Sequence, residues 1–149
     1  MPIRGSGLPS LKGCRAYRNA AYNVPNAAWT PIELDVENFD TDTMHSTVTN
    51  PSRVTCVTPG VYLLSAGMQH GVNATGVRGV RIFLNNTTSL CNMLVGAFAG
   101  AGAGLSASTI YELAAGDYVE LSVYQDSGAV LALTTGPRTS LGAVWLGKT

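Results

Sequence analysis

The segment Tyr118-Val119-Glu120-Leu121-Ser122-Val123-Tyr124 alternates without a fault, with Tyr118, Glu120, Ser122 and Tyr124 on one side and Val119, Leu121 and Val123 on the other. Successive side chains of an extended chain point to opposite faces, so a period of two describes a half-buried antiparallel strand. Turn residues bound it on both sides, Ala114-Ala115-Gly116-Asp117 before and Asp126-Ser127-Gly128 after. Glycine and aspartate tolerate the backbone angles that reverse a chain.

Working outward, the same pattern recurs. Val61–Gly71 opens with the almost wholly apolar Val61-Tyr62-Leu63-Leu64 behind the turn dipeptide Pro59-Gly60, which makes it the best core strand. In Val77–Leu84, Val77, Gly79, Arg81 and Phe83 face one way and Arg78, Val80, Ile82 and Leu84 the other. Asn85-Asn86 then offers a hairpin turn, and Ser89–Val95 returns. Trp29–Val36 sets Trp29, Ile32, Leu34 and Val36 against Thr30, Glu33 and Asp35. Shorter strands are expected at Cys14–Ala20, Arg53–Thr58, Leu105–Leu113, Ala129–Thr134 and Ser140–Leu146. Asn38–Ser52 is polar and reads as a long loop with room for one short strand. The Gly- and Ala-rich run Gly96–Gly104 reads as a flexible loop. No stretch sustains a 3.6-residue apolar period, so about nine or ten strands in a sandwich or barrel are expected.

Composition narrows the function classes. With 149 residues the chain fits one domain able to bury a full core. Formal net charge is zero, from nine basic and nine acidic residues, and the basic ones are scattered. Nucleic acid or an anionic membrane would call for a clustered basic face, so neither is an expected partner. Only 12% of residues are charged, against the ~25% usual in soluble domains, so neighbouring subunits are expected to cover part of the surface. Cys14, Cys56 and Cys91 lie far apart without metal-type spacing; they read as small buried hydrophobes, with one disulfide and an odd thiol as the alternative. The start lacks the apolar run of a secretory leader, and no apolar segment reaches the ~18–20 residues of a membrane span. Residues 1–13, with two prolines and three glycines, read as an extended arm ahead of a domain over 14–149. The glycosylation-type triplets at Asn73, Asn85 and Asn86 read as turns.

Three segments together resemble a known family. Thr58-Pro59-Gly60-Val61-Tyr62-Leu63-Leu64-Ser65 resembles a core strand of the globular heads of complement's first component, subcomponent q. Ala115-Gly116-Asp117-Tyr118-Val119-Glu120-Leu121 is similar to the "G-D-x-V-x-L" strand of those heads, and Ser140-Leu141-Gly142-Ala143-Val144-Trp145-Leu146 to their closing strand. Trp29-Thr30 and Phe39-Asp40 look like their early region, so the resemblance spans roughly Cys14 to Leu146 in order. It implies an all-β, antiparallel jelly-roll sandwich of about ten strands, shared with tumour necrosis factor, and a homotrimer with apolar and aromatic side chains about its axis. Tyr62, Leu64, Tyr118, Leu121, Tyr124 and Trp145 are the expected core and trimer-strand residues. Two departures stand out: no collagen repeat precedes the domain, and the final phenylalanine of the family becomes Leu141.

Signal-less forms of this fold are familiar among bacteriophage virion proteins. The resemblance therefore implies a virion surface protein assembled in the host cytoplasm, a trimeric capsid decoration or cement protein. Its arm would hold the major capsid protein, or another virion protein, through Ile3, Leu8 and Leu11. The alternative is a receptor- or glycan-binding module of a head fibre or tail-fibre tip, touching a host-surface glycan through the loops Asn38–Ser52 and Gly96–Gly104.

Catalytic chemistry finds little to use. His45 and His70 are the only histidines, one in a polar loop and one in a strand, and no nucleophile–His–acid spacing emerges. Glu33, Asp35, Glu37, Asp40 and Asp42 cluster along the chain. Carboxylates act as an acid–base pair only when buried and held close, and in a polar loop they are usually solvated. Asp40 and Asp42 are a weak calcium candidate, without the glycine and terminal glutamate of an EF-hand loop. Arg78 and Arg81 are open to two readings: charges that pair across a subunit interface or reach an acidic partner, or strand-edge charges that discourage sheet-to-sheet pairing. No enzyme, no cofactor and no membrane insertion are expected.

Overall fold

A computed structural model describes residues 10–149, and these form twelve strands and no helix. In chain order they are β1 (Gly13–Tyr17), β2 (Asn23–Val24), β3 (Thr30–Pro31), β4 (Val36–Asp40), β5 (Arg53–Thr55) and β6 (Gly60–Val72). There follow β7 (Val77–Leu84), β8 (Thr88–Gly96), β9 (Gly102–Leu113), β10 (Tyr118–Gln125), β11 (Leu131–Ala132) and β12 (Ser140–Gly147). The first sheet runs β4-β1-β12-β6-β9 and the second β3-β10-β7-β8, with β5 on the same edge of β10 as β3. Every pairing is antiparallel, and most neighbours are distant in sequence. This is the crossed-over order of a jelly roll.

The core lies between the sheets and follows the period-two reading. Tyr62, Leu64, Ala66 and Met68 from β6, and Leu141 and Ala143 from β12, meet Val80 and Ile82 from β7 and Val119, Leu121 and Val123 from β10. At ~1.5–3 kcal/mol for each large apolar side chain taken from water, this layer dominates the stabilisation. Cys14 and Cys56 are buried, Cys91 is half-buried, and all three are free thiols. Burial raises Cys14 to about 12, assisted by Asp40 and Glu37, so the thiol stays protonated.

Several expectations are corrected. Trp29–Val36 is not one strand: Thr30–Pro31 pairs on an edge of β10, where a proline costs no ladder bond, and Val36 already belongs to β4. The chain then crosses between sheets. Ile32 and Leu34 are fully buried on the way, while their N–H groups donate to the carbonyls of Leu121 and Pro51. The loop expected from Asn38 instead begins after Asp40, because Val36–Asp40 pairs with β1. The loop expected at Gly96–Gly104 is shorter too, since Gly102 and Gly104 are paired with Val72 and Gln69 of β6. A β-carbon at Gly102 would collide with the His70 carbonyl, so the glycine marks close backbone approach rather than slack. His45 is not on the surface; its ring is enclosed.

Arg78 is not an edge charge. Strand β7 lies between β10 and β8, and Arg78 points inward, 1% exposed, donating to the carbonyls of Asn73, Thr75 and Val77. Neutral carbonyls satisfy the buried guanidinium, with no counter-ion among the described residues.

Candidate functional site

The outward face of the first sheet is built from three strands whose register puts their side chains in rows. Ile110, Leu63 and Val144 stand abreast, then Ser108, Ser65 and Gly142, then Ser106, Gly67 and Ser140. No side chain in these three rows is charged. Leu63 and Ile110 are 41% and 63% exposed, and Leu146 adds an exposed apolar group at one end. Small residues make the middle of the face nearly flat. A β-carbon on Gly142 would meet Ser65 Oγ at 3.1 Å and Arg15 Cγ at 3.8 Å, so these residues share one surface. Arg15 stands opposite Gly142 on β1 and borders this face, its guanidinium donating to the Pro137 carbonyl at 2.8 Å and to Ser140 Oγ at 3.3 Å. Beyond Gly67 lies a depression of about 320 Å³ walled by Gln69, Gly104, Ser106 and Arg138.

The outward face of the second sheet has a different chemistry. Arg81 lies with its guanidinium carbon 3.8 Å from the Phe83 ring centroid and 4.5 Å from that of Trp29. Trp29 leans on Tyr124, the centroids 5.4 Å apart, and fills the space above Gly79, where a β-carbon would meet its Cη2 at 2.9 Å. Farther along, Arg53 lies 4.0 Å over Tyr118 and 3.8 Å from Glu120, whose Oε1 accepts from Ser52 at 2.6 Å. Arg81 sits opposite Ser122 on β10 and Asn92 on β8. Its Nε is buried without a hydrogen-bond partner, and burial lowers its pKa from the ordinary value.

The residues singled out from sequence divide among three places. Tyr62, Leu64 and Leu121 are fully buried inside the subunit. Trp145 is half-buried, its Nε1 donating to the Pro59 carbonyl. Tyr118 and Tyr124 belong to the outward face of the second sheet, under Arg53 and beside Trp29. Leu11 is 53% exposed, and Ile3 and Leu8 lie outside the described residues. The first-sheet face drew no attention in the sequence, although the outward set Leu63, Ser65 and Gly67 is the complement of the core set on the same strand.

The acidic residues are held apart by different donors. Asp40 accepts the N–H groups of Asp42, Met44 and His45 at 2.9–3.2 Å, closing the loop after β4. Asp42 accepts from Thr58 N–H and hydroxyl, and Lys12 lies 3.8 Å away. Glu37 pairs with the His45 ring at 3.0 Å. Partial burial would raise the Asp35 carboxyl, but the N–H groups of Asn19 and Ala20, with Arg18 near, outweigh it and hold its pKa below the usual value. Glu33 is exposed. Among the described residues, no three His, Cys, Asp or Glu side chains converge as a metal site would require.

No protein-family model matches the chain, and no curated protein matches it. Solved structures do. The globular domain of zebrafish complement 1qA protein superposes with a TM-score of 0.66 at 15% identity, covering 93% of this chain and 99% of that one. Eiger TNF from S. frugiperda gives 0.70 at 16% identity, covering 93% and 94%. Murine APRIL gives 0.71 at 14% identity, covering 92% and 100%. At these identities the likeness establishes the fold: an all-β jelly roll of the complement-head and tumour-necrosis-factor type.

Proposed function

We propose that the protein is a non-enzymatic virion component that self-associates as a homotrimer through the outward face of its first sheet and, as that trimer, decorates or cements a bacteriophage head. The observation that carries the reading is the nine-position patch centred on Ser65, which holds no charged residue of its own and only small side chains in its middle row, with Arg15 at its border. Small residues at the middle of the face let backbones approach closely, and no ion at its nine central positions has to be stripped of water when it closes. The apolar row of Ile110, Leu63 and Val144 then supplies burial at one end. The low overall charge fits a chain whose surface is shared among copies. Trimerisation would bring three arms to bear on the capsid, so that a weak anchoring contact through Ile3, Leu8 and Leu11 multiplies by avidity.

The test is the solution mass of the protein, whole and lacking residues 1–10, each measured alone and after mixing with candidate phage shells. Trimers in both forms, with shells retained only by the whole chain, support the reading. Monomers at micromolar concentration overturn the trimer. Trimers that ignore every shell overturn the decoration role and leave the assembly.

A further inference from the structure

We infer that Arg81, on the outward face of the second sheet, is the anchor of a binding site for the carboxylate of an acidic saccharide. A guanidinium carries five N–H donors in a planar fork that matches a carboxylate. Every other arginine of the sheet regions has acceptors: Arg15 and Arg18 reach carbonyls, Arg53 has Glu120, Arg78 has three carbonyls and Arg138 has Gln69. Arg81 alone makes no hydrogen bond to any described residue, and its buried Nε is orphaned. It nevertheless sits on a central strand, not at a frayed rim.

The side chain is also preorganised. Phe83 and Trp29 lie against its guanidinium, and Trp29 is itself fixed by Tyr124 and by the absence of a side chain at Gly79. An arginine immobilised before binding loses little rotamer freedom when it takes a ligand. Its terminal nitrogens have no hydrogen-bond partner among the described residues, and the residues opposite on the sheet, Ser122 and Asn92, bear no charge. Asn92 is exposed and carries both an amide donor and an acceptor, the equipment for sugar hydroxyls. Leu94, 52% exposed, offers an apolar flank for a ring's C–H face.

The local charge selects the ligand. Arg53 is offset by Glu120, so the face holds one net positive charge rather than a basic stripe. One carboxylate among neutral hydroxyls suits it; a polyacidic peptide finds one cation and no more. The arm of a neighbouring copy is excluded as the occupant, since residues 1–13 contain Arg4 and Lys12 and no acid. The site lies on the sheet opposite the proposed trimer face, so it does not depend on the virion reading and would stay open in a trimer.

The probe is a galacturonate trisaccharide, titrated into isotope-labelled protein while the Arg81 Nε–H, Asn92 amide and Trp29 indole signals are followed. The expected result is saturable shifts at these three groups, about tenfold weaker for the methyl-esterified trisaccharide and about tenfold weaker for Arg81→Lys, which keeps the charge and loses the fork. The acid–ester contrast uses unaltered protein, so it stands even where the variant folds poorly. Equal binding of acid and ester, shifts centred elsewhere, or no saturable shift would overturn the assignment. So would a glutamate-rich peptide that binds as tightly as the saccharide.

Discussion

His70 is fully buried in β6, with Nε2 at 3.2 Å from the Tyr124 carbonyl and Nδ1 without any hydrogen-bond partner. The carbonyl can only accept, so Nε2 carries the hydrogen and Nδ1 is a lone pair enclosed by protein. Protonating Nδ1 would bury a second charge near Arg78. Desolvation first, and then that guanidinium, lower His70 from 6.5 to about 4, against a small opposing effect of the Tyr124 hydrogen bond. The unfolded chain therefore binds a proton between pH 6.5 and 4 that the folded chain refuses. The stabilisation is complete above pH 6.5, declines as pH falls toward about 4, and is level below that. At ~1.4 kcal/mol per pH unit, the loss is about 3 kcal/mol at most. Denaturant titrations across this range are expected to show the decline in the native protein and a flatter profile in His70→Gln. Parallel profiles would show that His70 takes no part.

At the scale of elements, Asp40 fastens the loop after β4. Its two oxygens take three backbone N–H groups, from Asp42, Met44 and His45, in a stretch where Thr43 is held at a φ of 54°. A threonine in the left-handed region is strained, so the loop needs an external tie. Asp40→Ala is expected to lower stability by ~1–3 kcal/mol and to expose the amides of Met44 and His45 to rapid hydrogen exchange. Because its oxygens are already engaged, adding or chelating calcium is expected to leave the melting temperature unchanged; a rise with calcium would show that Asp40 and Asp42 rearrange into a site. The sequence made some of these elements plain and hid others for physical reasons. The alternation of Val119, Leu121 and Val123 marked β10, and the inward parity of Arg78 with Val80, Ile82 and Leu84 was also readable. What covers the other side of β10 was not. Glu120 and Ser122 are buried too, although they occupy the polar side of the pattern, because Ser52 and Arg53 reach Glu120 from a remote segment and Ser122 stands opposite Arg81, which Trp29 covers. Likewise Gly102 and Gly104 looked like slack until the backbone of β6 stood beside them. A local pattern reports one strand's two faces; it carries no trace of which other segment lies on them.

For the whole molecule, the decisive feature is the contrast between its two outward faces. One bears arginines stacked on aromatic rings, the other three uncharged rows centred on Ser65. Ser65 is exposed, lies between Ser108 and Gly142, and touches no core side chain through its hydroxyl, so Ser65→Arg should cost a lone subunit within ~0.5 kcal/mol. In a trimer closed on this face the same change would bury three like charges without partners, a penalty of several kcal/mol for each unpaired ion. The expected result is a fall in solution mass to that of the 15.5 kDa monomer, with the all-β circular dichroism spectrum kept. Salt provides the complementary arm. An interface whose centre holds no ion has little Coulomb attraction to screen, so assembly of the native protein is expected to hold at 1 M ionic strength, where the screening length is only ~3 Å. A native oligomer that dissociates in salt, or an arginine variant that remains trimeric, would place the contact on the charged face instead, and Arg53 and Arg81 would then be the residues to change first.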